Sequence, residues 1–207
     1  LSSRYTGIQR KRTANIPEAA TPGVRQMARL NNIRSLAESL VRKYDTRDPV
    51  KLAGMLGIHI YYLDDLRGLL GMYTIINRRR CILINSRLSS RLISLVLAHE
   101  IGHDRLHQKL CSESSFREFQ VLDVTSRPEY EANVFAAHLL IDECELESML
   151  REGLDVLQIS CAMDINMNLL LIKLNEMRRC GADYDMSFVP PGDFLKKVSL
   201  HEGCDHV

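Results

Sequence analysis

The chain has 207 residues, with 27 lysines and arginines against 26 aspartates and glutamates, and 45% of its residues are hydrophobic. This suffices for one domain with a proper core, and it excludes a disordered, fibrous or uniformly basic nucleic-acid-coating protein. No apolar run approaches the roughly 20 residues that span a bilayer, and no secretory signal opens the chain, so we expect no membrane association. Six scattered cysteines without a CxxC pair predict reduced thiols in a cytoplasmic protein.

The charge is unevenly distributed along the chain. Residues 1–32 carry six basic side chains against Glu18 alone, a net charge of +5. With prolines, glycine and few large apolar groups, they predict an extended basic leader. A solvated tail is the simpler interpretation of this leader, and a nucleic-acid-touching arm is the alternative.

The first half of the remaining chain predicts two helices and a small sheet. Apolar residues recur every three or four positions over 33–44, and Asp48-Pro49 can cap a second short helix. β-Branched and aromatic runs then predict three strands, joined in part by a turn rich in arginine that we expect to be solvated. The strands are predicted at 58–63, 69–76 and 81–84, with the turn at 77–80 and 69–76 as the edge strand.

The second half is predicted to be helical. A long helix over 89–109 is apolar nearly all round in its first half and should be buried. A polar connector leads to a helix over 128–141, and helical pattern continues to about residue 179. The fold class is therefore α+β: a small three-stranded sheet packed on a helical core, with a helical C-terminal extension. The expected divisions are 1–32 (leader), 33–142 (main domain), 143–180 (helical extension, like a helix-turn-helix) and 181–207 (tail).

The sequence His99-Glu100-Ile101-Gly102-His103 lies inside the predicted buried helix. Histidines at i and i+4 share one helix face, so both imidazoles can converge on one Zn²⁺ from consecutive turns. Glu100 cannot join them as an equivalent ligand, but it can sit beside the open coordination position and accept a proton from water. The pattern predicts a single catalytic zinc with Glu100 as the base.

Two histidines leave such a zinc one protein ligand short. His107 lies about 12 Å of helix rise beyond His99, too far to share the ion, and is expected at the helix end or in a supporting hydrogen bond. Glu129 on the next helix is the better third ligand. Asn133, at i+4 from Glu129, is placed to hydrogen-bond a ligand histidine and fix its tautomer, whereas Glu131 is expected to be a solvated acid.

Two segments together resemble the ImmA/IrrE family of zinc metallopeptidases: residues 97–107 (LAHEIGHDRLH) and 129–140 (EYEANVFAAHLL). The resemblance covers roughly residues 33–142. It implies a compact gluzincin-like peptidase fold, with His99, His103 and Glu129 as zinc ligands and Glu100 as the catalytic base. Members typically act in bacteria and their mobile elements, where they relieve repression by cleaving a helix-turn-helix transcriptional repressor. The family often ends its second motif with Leu-Leu-Met-Pro, whereas this chain reads LLID at 139–142.

Peptide hydrolysis also needs a donor for the developing oxyanion. Tyr73, His138 and Arg105 are the candidates, and the sequence does not choose among them. An extended substrate peptide could add to the edge strand at 69–76. A zinc-containing sensor or docking module without turnover is the alternative function.

Residues 154–177 have the cadence of a helix-turn-helix. The second of these helices is rich in leucine and poor in the basic and amide residues that read DNA. We therefore expect it to pack on the peptidase core or help to dock a protein substrate, and we do not expect direct DNA binding. A DNA-binding regulator built on these helices and the basic leader is the weakest of the three functional hypotheses.

Overall fold

The computed structural model describes residues 21–66, 68–108 and 126–182. Most of the predicted leader, most of the polar connector and the C-terminal tail lie outside the described residues. Within them the chain forms, in order, α1 (Pro22–Tyr44), α2 (Pro49–Met55), β1 (His59–Leu63), β2 (Gly71–Ile76), β3 (Arg79–Asn85), α3 (Ser90–Leu106), α4 (Arg127–Leu140), α5 (Glu143–Arg151), α6 (Val156–Ala162) and α7 (Met167–Arg179). The predicted α+β class is confirmed.

Helix α1 begins well before the predicted start at residue 33. Pro22 lies in its first turn, where a missing N–H costs nothing. Leu30 and Ile33 are buried along with Ala37 and Leu40, so the apolar stripe starts inside the predicted leader. The expectation that residues 22–32 are extended is therefore wrong, because their basic side chains flank a face that packs on α4.

The sheet has the order β1-β3-β2, with β1 parallel and β2 antiparallel to β3. The expectation that β2 is an edge strand is confirmed. Asn77 and Arg78 have positive φ angles of 49° and 63°, which is the two-residue hairpin turn that matches strand twist. Arg80, expected to be solvated, instead lies in β3 and donates to both carboxylate oxygens of Asp104 at 3.1 and 3.0 Å. This ion pair fastens the sheet to α3.

Helix α3 is the centre of the molecule. Ser89 caps it, and every residue from Leu95 to Asp104 is buried. It lies between β2 and β3 on one side and α4 on the other. At the crossing with α4, Gly102 faces Ala132 so closely that an added Cβ would lie 3.1 Å from the Ala132 Cα. A glycine therefore allows the two helices to approach closely enough to share a site.

The C-terminal helices pack on the core as expected. α6 and α7 are bent by 116° at a short turn, and every residue of α7 from Leu169 to Met177 is buried. α7 contacts α4 along its length. No single described helix has the length and apolar character to cross a membrane, although the bent α6–α7 pair passes on those two criteria alone.

Candidate metal centre

Two turns of α3 and the first turn of α4 bring three donor groups together. His99 Nε2 and His103 Nε2 lie 3.0 Å apart on the α3 face that meets α4. Glu129 follows the cap residue Ser126, and its two carboxylate oxygens lie 3.2 Å from His99 Nε2 and 3.5 Å from His103 Nε2. The structure thus gathers the three residues that the sequence predicted as ligands, all of them buried.

These three residues fit a zinc ion. Zinc bonds of 2.0–2.1 Å in a tetrahedron place ligand atoms about 3.3 Å apart, close to the three observed spacings. Glu129 Oε2 is also buried without a hydrogen-bond partner, although it lies near His99 Nε2. A buried carboxylate oxygen facing an imidazole nitrogen is a costly arrangement that a shared cation relieves. Two imidazoles and a carboxylate form a donor set typical of catalytic zinc.

Burial and the neighbouring charges shift the pKa values of the three donors in different directions. Burial would raise the pKa of Glu129, but His103 and His99 outweigh it and hold that pKa at about 2. Burial likewise would lower the pKa of His99, yet the carboxylates of Glu129 and Glu100 raise it. Burial dominates for His103, whose pKa falls to about 4. Glu129 therefore stays ionised, and a neutral His103 keeps a lone pair for a metal.

Asn133 occupies the position behind His99 that its spacing predicted. Its Oδ1 lies 2.8 Å from His99 Nδ1. Because an amide oxygen only accepts, the Nδ1 proton of His99 donates to it and the lone pair of Nε2 faces Glu129. The contact holds the ring in the tautomer that can bind a metal.

Glu100 lies beside the three donors, with its two carboxylate oxygens in different situations. Oε2 accepts the backbone N–H of Tyr73 on β2 at 2.8 Å, whereas Oε1 is buried without a hydrogen-bond partner. Burial raises the pKa of Glu100 to about 7. A carboxylate anchored at one oxygen, free at the other and poised near neutrality has the properties of a general base.

The prediction for Glu131 is wrong. Its side chain is only 4% exposed and lies 3.1 Å from His107 Nε2. His107, which the sequence excluded as a ligand, lies with its Nδ1 3.2 Å from His103 Nδ1. Glu131 does point away from Glu129, but α4 is covered on all sides from residue 131 to 139, so both directions lead into the protein. The apolar residues at 134–137, which cover every face of one helical turn, were the signal that this part of the helix is buried all round.

The three oxyanion candidates have different positions. His138 lies away from the three candidate ligands. Its Nδ1 is 2.8 Å from Lys173 Nζ, which also donates to Glu143 at 2.9 Å. The expectation that His138 could serve the site is wrong, because it projects from another side of α4. Burial and the Asp104 carboxylate raise the pKa of the Tyr73 phenol. Arg105 is exposed, with its guanidinium 3.7 Å from Asp104.

A buried HExxH helix packed against a helix that supplies a carboxylate as the third ligand is typical of a metallopeptidase. The chain belongs to the peptidase M78 family: the family model, described as the IrrE N-terminal-like domain, matches residues 53–173. Immunity region protein 2 of Bacillus phage phi105 is 31% identical over 111 residues, which cover 54% of this chain and 69% of the phage protein. The resemblance that the two motifs predicted is thereby confirmed.

Proposed function

We propose that the chain is a zinc-dependent endopeptidase that cleaves a cytoplasmic helix-turn-helix transcriptional repressor, and so relieves repression in a mobile element or a stress response. The observation that carries the peptidase activity is the convergence of His99, His103 and Glu129 with Glu100 beside them. Three protein ligands leave an open coordination position, which a purely structural zinc site would close with a fourth ligand.

A zinc ion held by His99, His103 and Glu129 would supply Lewis-acid chemistry, lowering the pKa of water and polarising the carbonyl of the peptide bond to be cleaved. Glu100 accepts a proton from the attacking water at Oε1, while the Tyr73 N–H holds Oε2 in place. Glu100 can then return that proton to the leaving amine. Asn133 keeps the His99 lone pair directed into the site. In this proposal Glu100 carries the proton, the Tyr73 N–H orients Glu100, and Asn133 orients the ligand His99.

Strand β2 offers the substrate a place to bind. The Asn85 N–H donates to the Leu70 carbonyl, and the register pairs Tyr73 with Ile82. With this alternation, the backbone groups of Tyr73 and Ile75 face away from β3. The Tyr73 N–H is already bound to Glu100, so the Tyr73 carbonyl and the backbone of Ile75 are the groups offered to a peptide. Ile75 is half-buried and Ile76 is exposed, so an extended peptide can pair with this end of the strand. Such pairing would lay the peptide alongside Glu100.

Two considerations support a repressor as the substrate. The phage relative is named for an immunity region, which is a setting of repression control. The motifs resemble those of the ImmA/IrrE peptidases, whose members act on helix-turn-helix repressors. Direct DNA binding is not part of the proposal. Helix α7 is buried from Leu169 to Met177, so these residues present no exposed face to a DNA groove.

Co-expression with a helix-turn-helix repressor encoded beside the gene tests the proposal. We expect the wild type and the control Glu145→Gln, altered at an exposed acid on α5, to yield a discrete repressor fragment. Glu100→Gln should yield none while its bound zinc, measured by atomic emission, stays near one ion per chain. An intact repressor bound by zinc-loaded wild type would instead indicate a docking module without turnover.

A further inference from the structure

We propose that His107 and Glu131 are positioning residues that determine which nitrogen of His103 binds the metal. The inference rests on the proposed function, because it assigns a role to groups behind a zinc ligand. It concerns a line of hydrogen bonds that starts at His103 and ends at two arginines on the protein surface.

The contacts form one continuous line. His103 Nδ1 lies 3.2 Å from His107 Nδ1, and His107 Nε2 lies 3.1 Å from Glu131 Oε2. All three side chains are buried. The backbone N–H of His107 donates to the His103 carbonyl at 2.9 Å, so the end of α3 fixes the second ring against the first. Because the three side chains are buried, their polar atoms must find hydrogen-bond partners among one another.

Only one placement of protons satisfies a neutral pair of rings. An ionised carboxylate can only accept, so His107 carries its proton on Nε2 and donates it to Glu131. His107 Nδ1 then has a lone pair and accepts from His103 Nδ1–H. The proton of His103 is therefore on Nδ1, and its Nε2 lone pair faces Glu129 and His99. The opposite tautomer of His103 would set two lone pairs against each other at Nδ1 and would block the metal position with a proton.

The ionised state of Glu131 has its own support. Arg29 from α1 donates to Glu131 at 2.6 Å, and Arg127 donates at 2.8 Å. The arginines are partly exposed, so they hold the charge of a buried carboxylate from the surface.

The two ligand histidines are thus supported differently. A neutral amide, Asn133, stands behind His99, whereas an imidazole backed by a carboxylate stands behind His103. A carboxylate at the end of such a line makes the ligand ring more basic and so a stronger donor to the metal. Loss of the line should weaken metal binding without removing any ligand.

Zinc affinity, measured on the full chain by competition with a chromophoric chelator, tests the proposal. His107→Leu removes the acceptor for His103, and we expect its Kd for zinc to rise about 10–100-fold. His107→Asn keeps an amide oxygen near the position of Nδ1 and should recover most of that loss. Glu131→Gln should lie between the two. The matched control is His138→Leu, which changes a buried histidine of α4 away from the site and should leave the Kd unchanged.

Cobalt loading provides a second readout that folding alone does not move. The visible spectrum of Co²⁺ should shift in His107→Leu and return towards wild type in His107→Asn. Equal Kd values for wild type and His107→Leu would overturn the proposal, as would a His107→Asn variant that binds as weakly as His107→Leu while melting like the wild type. A wild type that binds zinc but leaves every repressor intact would refute the peptidase proposal instead and leave this inference standing.

Discussion

Replacement of Gly102 by alanine tests whether the close approach of α3 and α4 builds the metal centre. Gly102 has ordinary helical geometry, so what it provides is space. A Cβ there would lie 3.1 Å from the Ala132 Cα, 3.2 Å from the Ala132 carbonyl oxygen and 3.3 Å from a ring carbon of Phe135. Two of these three atoms belong to the backbone of α4 and cannot rotate away.

The magnitude follows from two opposed effects. Alanine is about 1 kcal/mol better than glycine inside a helix, whereas overpacking of a tight core costs about 1–3 kcal/mol. Since rigid backbone receives the contact, we expect the upper part of that range and a net loss of about 1–2 kcal/mol. The strain is relieved when α4 moves outward by a few tenths of an ångström. Glu129 lies one helical turn from Ala132, so this motion increases its distance from His99 and His103. The Kd for zinc should then rise about tenfold.

Urea unfolding of the metal-free protein and zinc competition measure the two effects. Gly54→Ala on α2 is the matched control, because an added Cβ there meets nothing within 4 Å. It should stabilise the protein by up to about 1 kcal/mol and leave zinc affinity alone. If Gly102→Ala stabilised the protein as the control does and bound zinc normally, the helix approach would have no role in the site.

Three further outcomes are expected. Chelation should abolish peptidase activity and lower the melting temperature, and added zinc should restore both, because Glu129 and Glu100 keep buried carboxylate oxygens without partners; unchanged melting would contradict this. Acidification from pH 7 to 5 should destabilise the metal-free protein. The folded-state pKa values of His103 and His138 are about 4 and about 2, so below pH 6.5 these histidines bind protons in the unfolded state and not in the folded state. The pKa of Glu100, about 7, and the raised pKa of His99 have the opposite effect and should limit the net loss to about 1–2 kcal/mol in urea titrations; a gain would refute the assignment. Lys173→Met should cost about 2 kcal/mol in the same assay, because buried His138 Nδ1 loses its donor while Glu143 keeps Arg34 as a cation, yet zinc affinity should not change.

Helical periodicity carried most of the site prediction. The i, i+4 spacing of His99 and His103 fixes their common face, and the same spacing puts Asn133 above Glu129 on the next helix. Both pairs meet as that rule requires. The rule acts within one helix. It gives the residues that share a face on α3 and those that share a face on α4, but not the packing of the two helices on each other.

Periodicity failed where burial depends on what surrounds an element. Glu131 was assigned to solvent because it points away from Glu129, yet α4 has neighbours on both sides. His138 was a candidate oxyanion donor, although its side chain contacts Lys173. The bond from the Tyr73 N–H to Glu100 has no signature at all, since every residue except proline carries that donor.

The position of Arg29 has a practical consequence for where the protein can be cut. The family match spans residues 53–173, and the sequence-based division would remove everything before residue 33. Either cut discards a counter-ion of Glu131, and the shorter piece also strips Ile33 and Leu40 from the core and ends inside α7. A piece that keeps these groups together with the whole of α1 and α7 therefore runs from the start of α1 to the end of α7, residues 22–179.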